Sequence, residues 1–489
     1  MSCLLNIGPR QLVVVLAFVN LGLIGPARSE ANAPTDRPVF NVRTFGARAD
    51  GTTDDTAAIQ TAVDRASEVS GTVRIPAGRY LVGSIELPSH VDIEGDGETS
   101  QLLLRAQPLA KTGAESRSPI RPGHMFVPKD MATVASVEGV RIAHLFLRGN
   151  SREQNAGGPM PLSGAMHGIA ILGGKNWIVS EVRVEDFDGD GIYLGANLVY
   201  PGARDIGNGK LGWPNGAAPE SRPLAAGNII EKSVVRGNLR NGMMISHGDR
   251  NVLRHNLFER NQAGIVCTPP AGPDRRCTRP DEHPKFAPAV YESAELDLEP
   301  NRIKVLNGET VSWERVTNTL IEGNTFRAGP RFAIQIVKGT ADISGNRIVH
   351  NTFDDNLGGG IVVHAEGARQ TTIKDNDFTW SDAAHQPFVV RIHAGDGNKV
   401  VGNRFRGPLP TSGRVILLES FSRWRTVRCA VLVDNLVDVP TNANVPLIVL
   451  DRAVVDSVVA GNRFPSGGRL EAAPESLIYP DTISRCQTE

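Results

Sequence analysis

One phrase recurs along the second half of the chain: a short β-rich run, a polar stretch, then Asn-x-Phe. It reads RHNLFER, EGNTFRA, VHNTFDD, KDNDFTW, VGNRFRG and AGNRFPS, with Asn at 256, 324, 351, 376, 403 and 462; Asn435 of VDNLV fills the wide gap. From Asn324 to Asn403 the steps are 27, 25 and 27 residues. A repeat of this size marks stacked structural units. A βα unit needs about 30 residues or more, and helical periodicity is lacking. The consensus of a leucine-rich solenoid is also absent. The all-β reading that fits is a single-stranded right-handed parallel β-helix, one coil per repeat. Inward Ile, Val and Leu from runs such as GIYLG, GMMIS and GIVVHAE stack into a core, and each Asn bonds backbone groups of the next coil.

The segment before the repeats is organised differently. Thr53, Asp54 and Asp55 precede a predicted helix carrying Ile59, Ala62, Val63 and Ala66 on one face, and TVRIPAGRYLV follows as strand, turn, strand. A helix there caps the end of a solenoid that would otherwise expose its core. The expected organisation is a signal peptide over 1–33, cap and first coils over 34–100, the β-helix over 101–468 and a tail over 469–489. Loop insertions are expected near 196–226 and 267–293.

The stretch FGARADGTTDDTAAIQTAV…GTVRIPAGRYLV resembles the N-terminal signature of the pectate-lyase-like superfamily, which includes rhamnogalacturonase- and epimerase-like proteins and phage tailspikes. The resemblance is specific over residues 40 to 97, and the coil pattern carries it to about residue 465. It implies a right-handed β-helix, usually acting on polysaccharides, and makes Asp54 and Asp55 part of the cap. It does not fix the reaction. Polygalacturonases carry paired Asp, Gly-His-Gly and Arg-Ile-Lys, where this chain has only MHGIA at His167 and RIHAG at Arg391 to His393. The Asp-Pro-His signature of alginate epimerases is missing.

Chemistry gathers at ESAELDLEPN, where Glu292, Glu295, Asp297 and Glu299 fall within eight residues of an otherwise apolar run. Alternate strand residues share a face about 6.6–6.8 Å apart. With Leu296 and Leu298 turned to the core, Glu295, Asp297 and Glu299 are expected on the outer face. Neighbouring coils add His247, Gln335, Lys338, His364, Arg391 and His393 to the same wall. The catalytic candidates are Asp297, Glu299 and Glu295, with His364, His393 and Lys338 behind them. Arg391, His247 and the insertion aromatics Trp213 and Tyr200 are the candidates for holding substrate. A carboxyl that protonates a glycosidic oxygen beside one that activates water, or attacks the sugar, is the chemistry of glycoside cleavage. Crowded like charges raise the pKa that a general acid needs. The alternatives are elimination on a uronate, with Lys338 or a His as base and Arg391 or Ca²⁺ on the carboxylate, and a non-catalytic saccharide-binding β-helix. Ca²⁺ is the one cofactor considered, on Glu295, Asp297 and Glu299. DFDGDG (Asp186, Asp188, Asp190) reads as a turn between coils.

A net charge of −1 gives no electrostatic case for nucleic acid or anionic membrane as partner; the expected partner is a polysaccharide or oligosaccharide, taken by a monomer or homo-oligomer. MSCLLNIGPRQ, the apolar LVVVLAFVNLGLIG and the small residues of PARSEANA form a secretory signal pattern cut near Ser29 or Ala33, which implies export to periplasm or medium. In that compartment Cys267–Cys277 and Cys429–Cys486 are the expected disulfides.

Overall fold

The computed structural model describes residues 37–106, 124–129, 136–151, 167–196, 204–205, 211–212, 223–261, 266–267, 277–278, 294–300, 302–306, 309–381, 388–409, 413–419, 426–441, 444–452 and 454–473. Pro38–Glu489 form one compact unit. Three long parallel sheets, of 13, 12 and 12 strands, run side by side through it, and consecutive chain segments visit them in turn. Each circuit of the three is one coil of a parallel β-helix. The expected signal peptide lies outside the described residues, and so do Trp213, Tyr200 and Cys486. Cys429 is disulfide-bonded. Its pairing with Cys486 remains an expectation. The backbones of Cys267 and Cys277 face each other across a two-stranded antiparallel ribbon.

The Asn-x-Phe phrase builds the spine. The residue before each Asn turns the corner between two sheets with a left-handed backbone: His255, Gly323, His350, Asp375, Gly402, Asp434 and Gly461 have φ between 53° and 67°. His, Asp and Gly at this position are residues that tolerate that conformation. The Asn then donates both its backbone N–H and its Nδ2–H to the Oδ1 of the next coil's Asn. For Asn324 to Asn351 these bonds are 2.8 and 3.0 Å, and Asn324 Nδ2 also donates to Leu253 O at 2.8 Å. Buried corner groups are thereby satisfied without water. Two residues later the Phe turns inward, and Phe258, Phe326, Phe353, Phe378 and Phe405 stack with centroids 4.3–5.1 Å apart.

At the N-terminal end the helix Thr56–Ser67 buries Ile59, Ala62, Val63 and Ala66, the face read from sequence. Asp55 makes no side-chain cap to this helix. Its carboxylate is buried and accepts the backbone N–H groups of Arg48 and Ala49 at 2.7 and 2.9 Å.

Candidate active site

The acids sit on the strand Ala294–Leu298, which pairs with Met243–Ile245 on one side and Phe332–Gly339 on the other. The insertion therefore precedes this strand, and Ala294–Leu298 is the regular rung of its coil. Leu296 and Leu298 enter the core, so the alternation was read correctly, but the outer face is not open. Glu295 and Asp297 are fully buried and Glu299 is 9% exposed. The reason is local. On this half of the sheet the outer face carries Val127, Ala170, Leu172, Tyr193 and Met244, a second apolar cluster that is itself buried. The insertions that leave this sheet also meet one another, with Leu211–Gly212 packed against the hairpin strand Arg302–Leu306.

Glu295 separates from the other two acids. Its Oε1 accepts the backbone N–H of Asn261 at 2.9 Å and its Oε2 accepts Asn261 Nδ2, so it stands in for an Asn of a corner ladder. That role is structural, and it removes Glu295 from both the catalytic set and the proposed calcium set. Among the described residues no group of three His, Cys, Asp or Glu is placed to hold a metal ion.

Asp297 and Glu299 instead join residues that precede the strands of neighbouring coils. Arg240 lies between two carboxylates, with Nη1 3.3 Å from Asp190 Oδ2 and Nη2 3.5 Å from Glu299 Oε2. Asp190 Oδ1 also accepts the backbone N–H and Nδ2–H of Asn241 at 3.1 and 2.8 Å. Three carboxyls thus crowd around one guanidinium, and burial makes full ionisation costly. Burial pushes Asp190 up to about 6 despite the Arg240 charge. Burial, and then the Glu299 charge, hold Asp297 well above the usual carboxylate range. Among the described residues neither carboxyl oxygen of Asp297 has a hydrogen bond of good geometry; Glu299 and the cross-coil neighbour Gln335 are the polar side chains beside it.

A ladder of backbone donors runs through the same corner. His167 N–H donates to His124 Nδ1 at 3.1 Å, Asp190 N–H to His167 Nδ1 at 3.0 Å, Asn241 N–H to Asp190 Oδ1, and Ala294 N–H to Asn241 Oδ1 at 2.8 Å. An Nδ1 that accepts carries no proton, so both imidazoles are neutral with hydrogen on Nε2. Burial first, and then the neighbouring His124 ring and the Arg240 guanidinium, which disfavour a second positive charge here, keep His167 well below its ordinary value. The rings of His124, His167 and Tyr193 stack at 4.8 and 4.7 Å, and Tyr193 Oη lies 2.7 Å from Ser246 Oγ. Burial, and then Glu314, push the Tyr193 phenol up, so it stays protonated.

Asp190, Arg240, Tyr193 and His124 were missed as site residues, and Asp190 was read as a turn. The signal was present as a second repeat: His124-Met-Phe, His167-Gly-Ile, Asp190-Gly-Ile and Asn241-Gly-Met each place a polar residue two before a strand.

The other candidates lie apart. His247 is a ladder residue, its Nδ1 accepting Arg315 N–H at 3.1 Å. The side chain of Lys338 is outside the described residues. Arg391 belongs to the same outward column as Asp297, but the column runs Asp297, Gln335, Val362, Arg391. Three coil steps of about 4.8 Å put Arg391 about 14 Å from the acid, which removes it from that cluster. There it is paired through Nε and Nη2 with Glu419 Oε1, and its guanidinium lies 4.6 Å over the Phe388 ring. The His364 and His393 rings are 4.8 Å apart on the adjoining column, with His393 Nδ1 3.6 Å from Glu419.

Residues 39–157 match the family described as rhamnogalacturonase A/epimerase, pectate lyase-like, and residues 281–405 match the right-handed β-helix region. These two matches support a pectate-lyase-like N-terminal region and a right-handed β-helix region in this chain. The fold aligns with solved structures over nearly the whole length of the chain. It aligns with the A-module of the mannuronan C-5 epimerase AlgE4 of Azotobacter vinelandii at a TM-score of 0.53, with 14% identity over 90% of this chain and 100% of that one. For the family 28 exopolygalacturonase of Yersinia enterocolitica the values are 0.54 and 14%, covering 91% and 79%. At these identities the likeness is one of fold. In sequence, mannuronan C5-epimerase AlgE3 of A. vinelandii is 57% identical over 51 residues, 10% of this chain and 3% of that protein. Alginate lyase 7 of the same organism is 45% identical over 67 residues, 12% and 8%. The chain therefore spans less than a tenth of these relatives' lengths.

Proposed function

We propose that the protein is an exported glycoside hydrolase acting on an acidic polysaccharide. The observation that carries this reading is the division of labour between two acids on one strand. Asp297 is buried beside another carboxyl, and burial with the Glu299 charge favours its protonated form, which suits a general acid for the leaving oxygen. Glu299 is held on Arg240 nearer the surface and is the carboxylate that activates water or attacks the anomeric carbon. Asp190 shares the guanidinium and fixes its orientation.

A second reading has one observation behind it. Tyr193 is a protonated phenol beside the same acids, and an enzyme that exchanges or removes the C5 proton of a uronate needs such a donor. The short sequence matches to proteins named epimerase and alginate lyase point the same way.

One digestion separates these. Galacturonan, alginate and neutral polysaccharides are incubated in D2O while reducing ends, unsaturated-uronate absorbance and deuterium at C5 are followed. Reducing ends alone are expected. Absorbance with reducing ends would replace hydrolysis by elimination, and deuterium without new ends would replace it by epimerisation. Binding with none of these signals would leave a saccharide-binding β-helix.

A further inference from the structure

The polar column does not stop at the acids. One coil on from Asp297 stands Gln335, a buried amide beside the Asp297 carboxyl. Two coils on, His364 faces outward opposite Val337. Three coils on stand Arg391 and His393, and Glu419 follows on the fourth. Beyond them the wall is plain, with Leu417 and Val449 at the Arg391 position of the next two coils. The burial changes along this track. The Arg391 and Glu419 side chains are 21% and 22% exposed, whereas that of Asp190 is fully enclosed.

We infer that His364, Arg391, His393 and Glu419 form a distal saccharide subsite for a uronate unit of the same chain whose other end lies over Asp297 and Glu299. The chemistry is that of sugar recognition. Arg391, clamped by Glu419, presents a planar guanidinium of fixed direction, which suits bidentate contact with a carboxylate or with vicinal hydroxyls. Glu419 places an acceptor beside that donor. The Phe388 ring beneath the guanidinium limits its rotation, so less freedom is lost when a ligand binds. The imidazoles of His364 and His393 extend the same edge by one coil. Because the column is straight and its rungs are hydrogen-bonded in register, a polymer laid along the wall would reach this cluster and Glu299, the partly exposed edge of the acid group, about 14 Å apart along the coil axis.

The inference rests on a saccharide lying along this wall, not on which bond is broken. Its test is calorimetric binding of oligogalacturonates and oligomannuronates, from dimers to octamers, to the full exported chain carrying Asp297→Asn. The octamer of at least one series should bind more tightly than its dimer. Arg391→Met added to this background should weaken the octamer by about tenfold, the scale of one charged hydrogen-bonding group. The dimer that sits at the acids should be unaffected. His364→Ala, which leaves the Arg391–Glu419 pair in place, should produce the same length-dependent loss with an unchanged melting temperature. Equal affinity for all lengths, equal weakening of dimer and octamer, or no binding of either series would overturn the subsite. Elimination or epimerisation in the digestion above would overturn hydrolysis and leave this result standing.

Discussion

Two arginines on one sheet face show how differently the same pairing can be used. Arg391 meets Glu419 where both are partly open to water, and each group's charge is answered within the pair. Arg240 meets Asp190 and Glu299 beside buried apolar side chains of the same sheet, and a third acid, Asp297, is fully buried next to them. The first arrangement is at rest. The second disfavours ionisation of Asp297 through burial and the neighbouring Glu299 charge, and such arrangements cluster at functional sites.

The sharpest way to break this contrast is Asp297→Asn. If Asp297 supplies the proton, turnover should fall on the order of 10²–10⁴-fold. Melting temperature should hold or rise, because a buried ionisable group is exchanged for a neutral one of the same shape. Retained activity per folded molecule would remove Asp297 from the mechanism.

The arginines themselves give the next largest effect, read by urea denaturation. Arg240→Met leaves two carboxyls facing each other without a cation. It should cost about 2–4 kcal/mol, less than a fully buried pair because the side chain is 32% exposed. Arg391→Met removes a surface pair and should cost about 0–1 kcal/mol. Equal costs would show that the burial of the acids around Arg240 does not set the energetics.

The smallest effect is a slope. Asp190 is raised from 3.8 to about 6 and Glu295 from 4.5 to about 8, and Asp297 is raised too. A raised folded value means the stabilising contribution is complete below the unfolded pKa and is lost as pH rises through the folded one. Unfolding free energy should therefore decline between about pH 4 and 8, less steeply in Asp297→Asn. His167 works in the opposite sense, since its folded value lies below 6.5, and its contribution is lost as pH falls through 6.5. His167→Asn keeps a ladder acceptor and should remove that acid-side loss. Arg391→Met should leave both slopes unchanged.

Much of this was legible in the chain, and the gaps have physical causes. The Asn-x-Phe repeat carried the spine because corner, ladder and stack each demand a particular residue. The inward Leu296 and Leu298 followed from alternation. Alternation reports parity, however, and cannot tell an open face from a roofed one, so three acids expected outside are buried. Column membership was likewise mistaken for adjacency: His364, Arg391 and His393 share the wall with Asp297 but lie two and three coils away. Asp190 was passed over because a short polar residue before Gly looks like a turn whether or not it also faces a site.

The spine has a geometric consequence. At the Asn corner of every regular coil the chain spends the same few residues, as in Glu322-Gly323-Asn324-Thr325 and Val401-Gly402-Asn403-Arg404, while the long insertions leave elsewhere. The spacing between coils is therefore fixed by a part of the molecule that no insertion enters. Exchanging the insertions cannot alter the distance from Asp297 to Arg391. Only adding or deleting a whole coil can, and then only in steps of about 4.8 Å. The Asn and Phe columns act as a ruler, graduated in coils, against which any ligand longer than one sugar is measured.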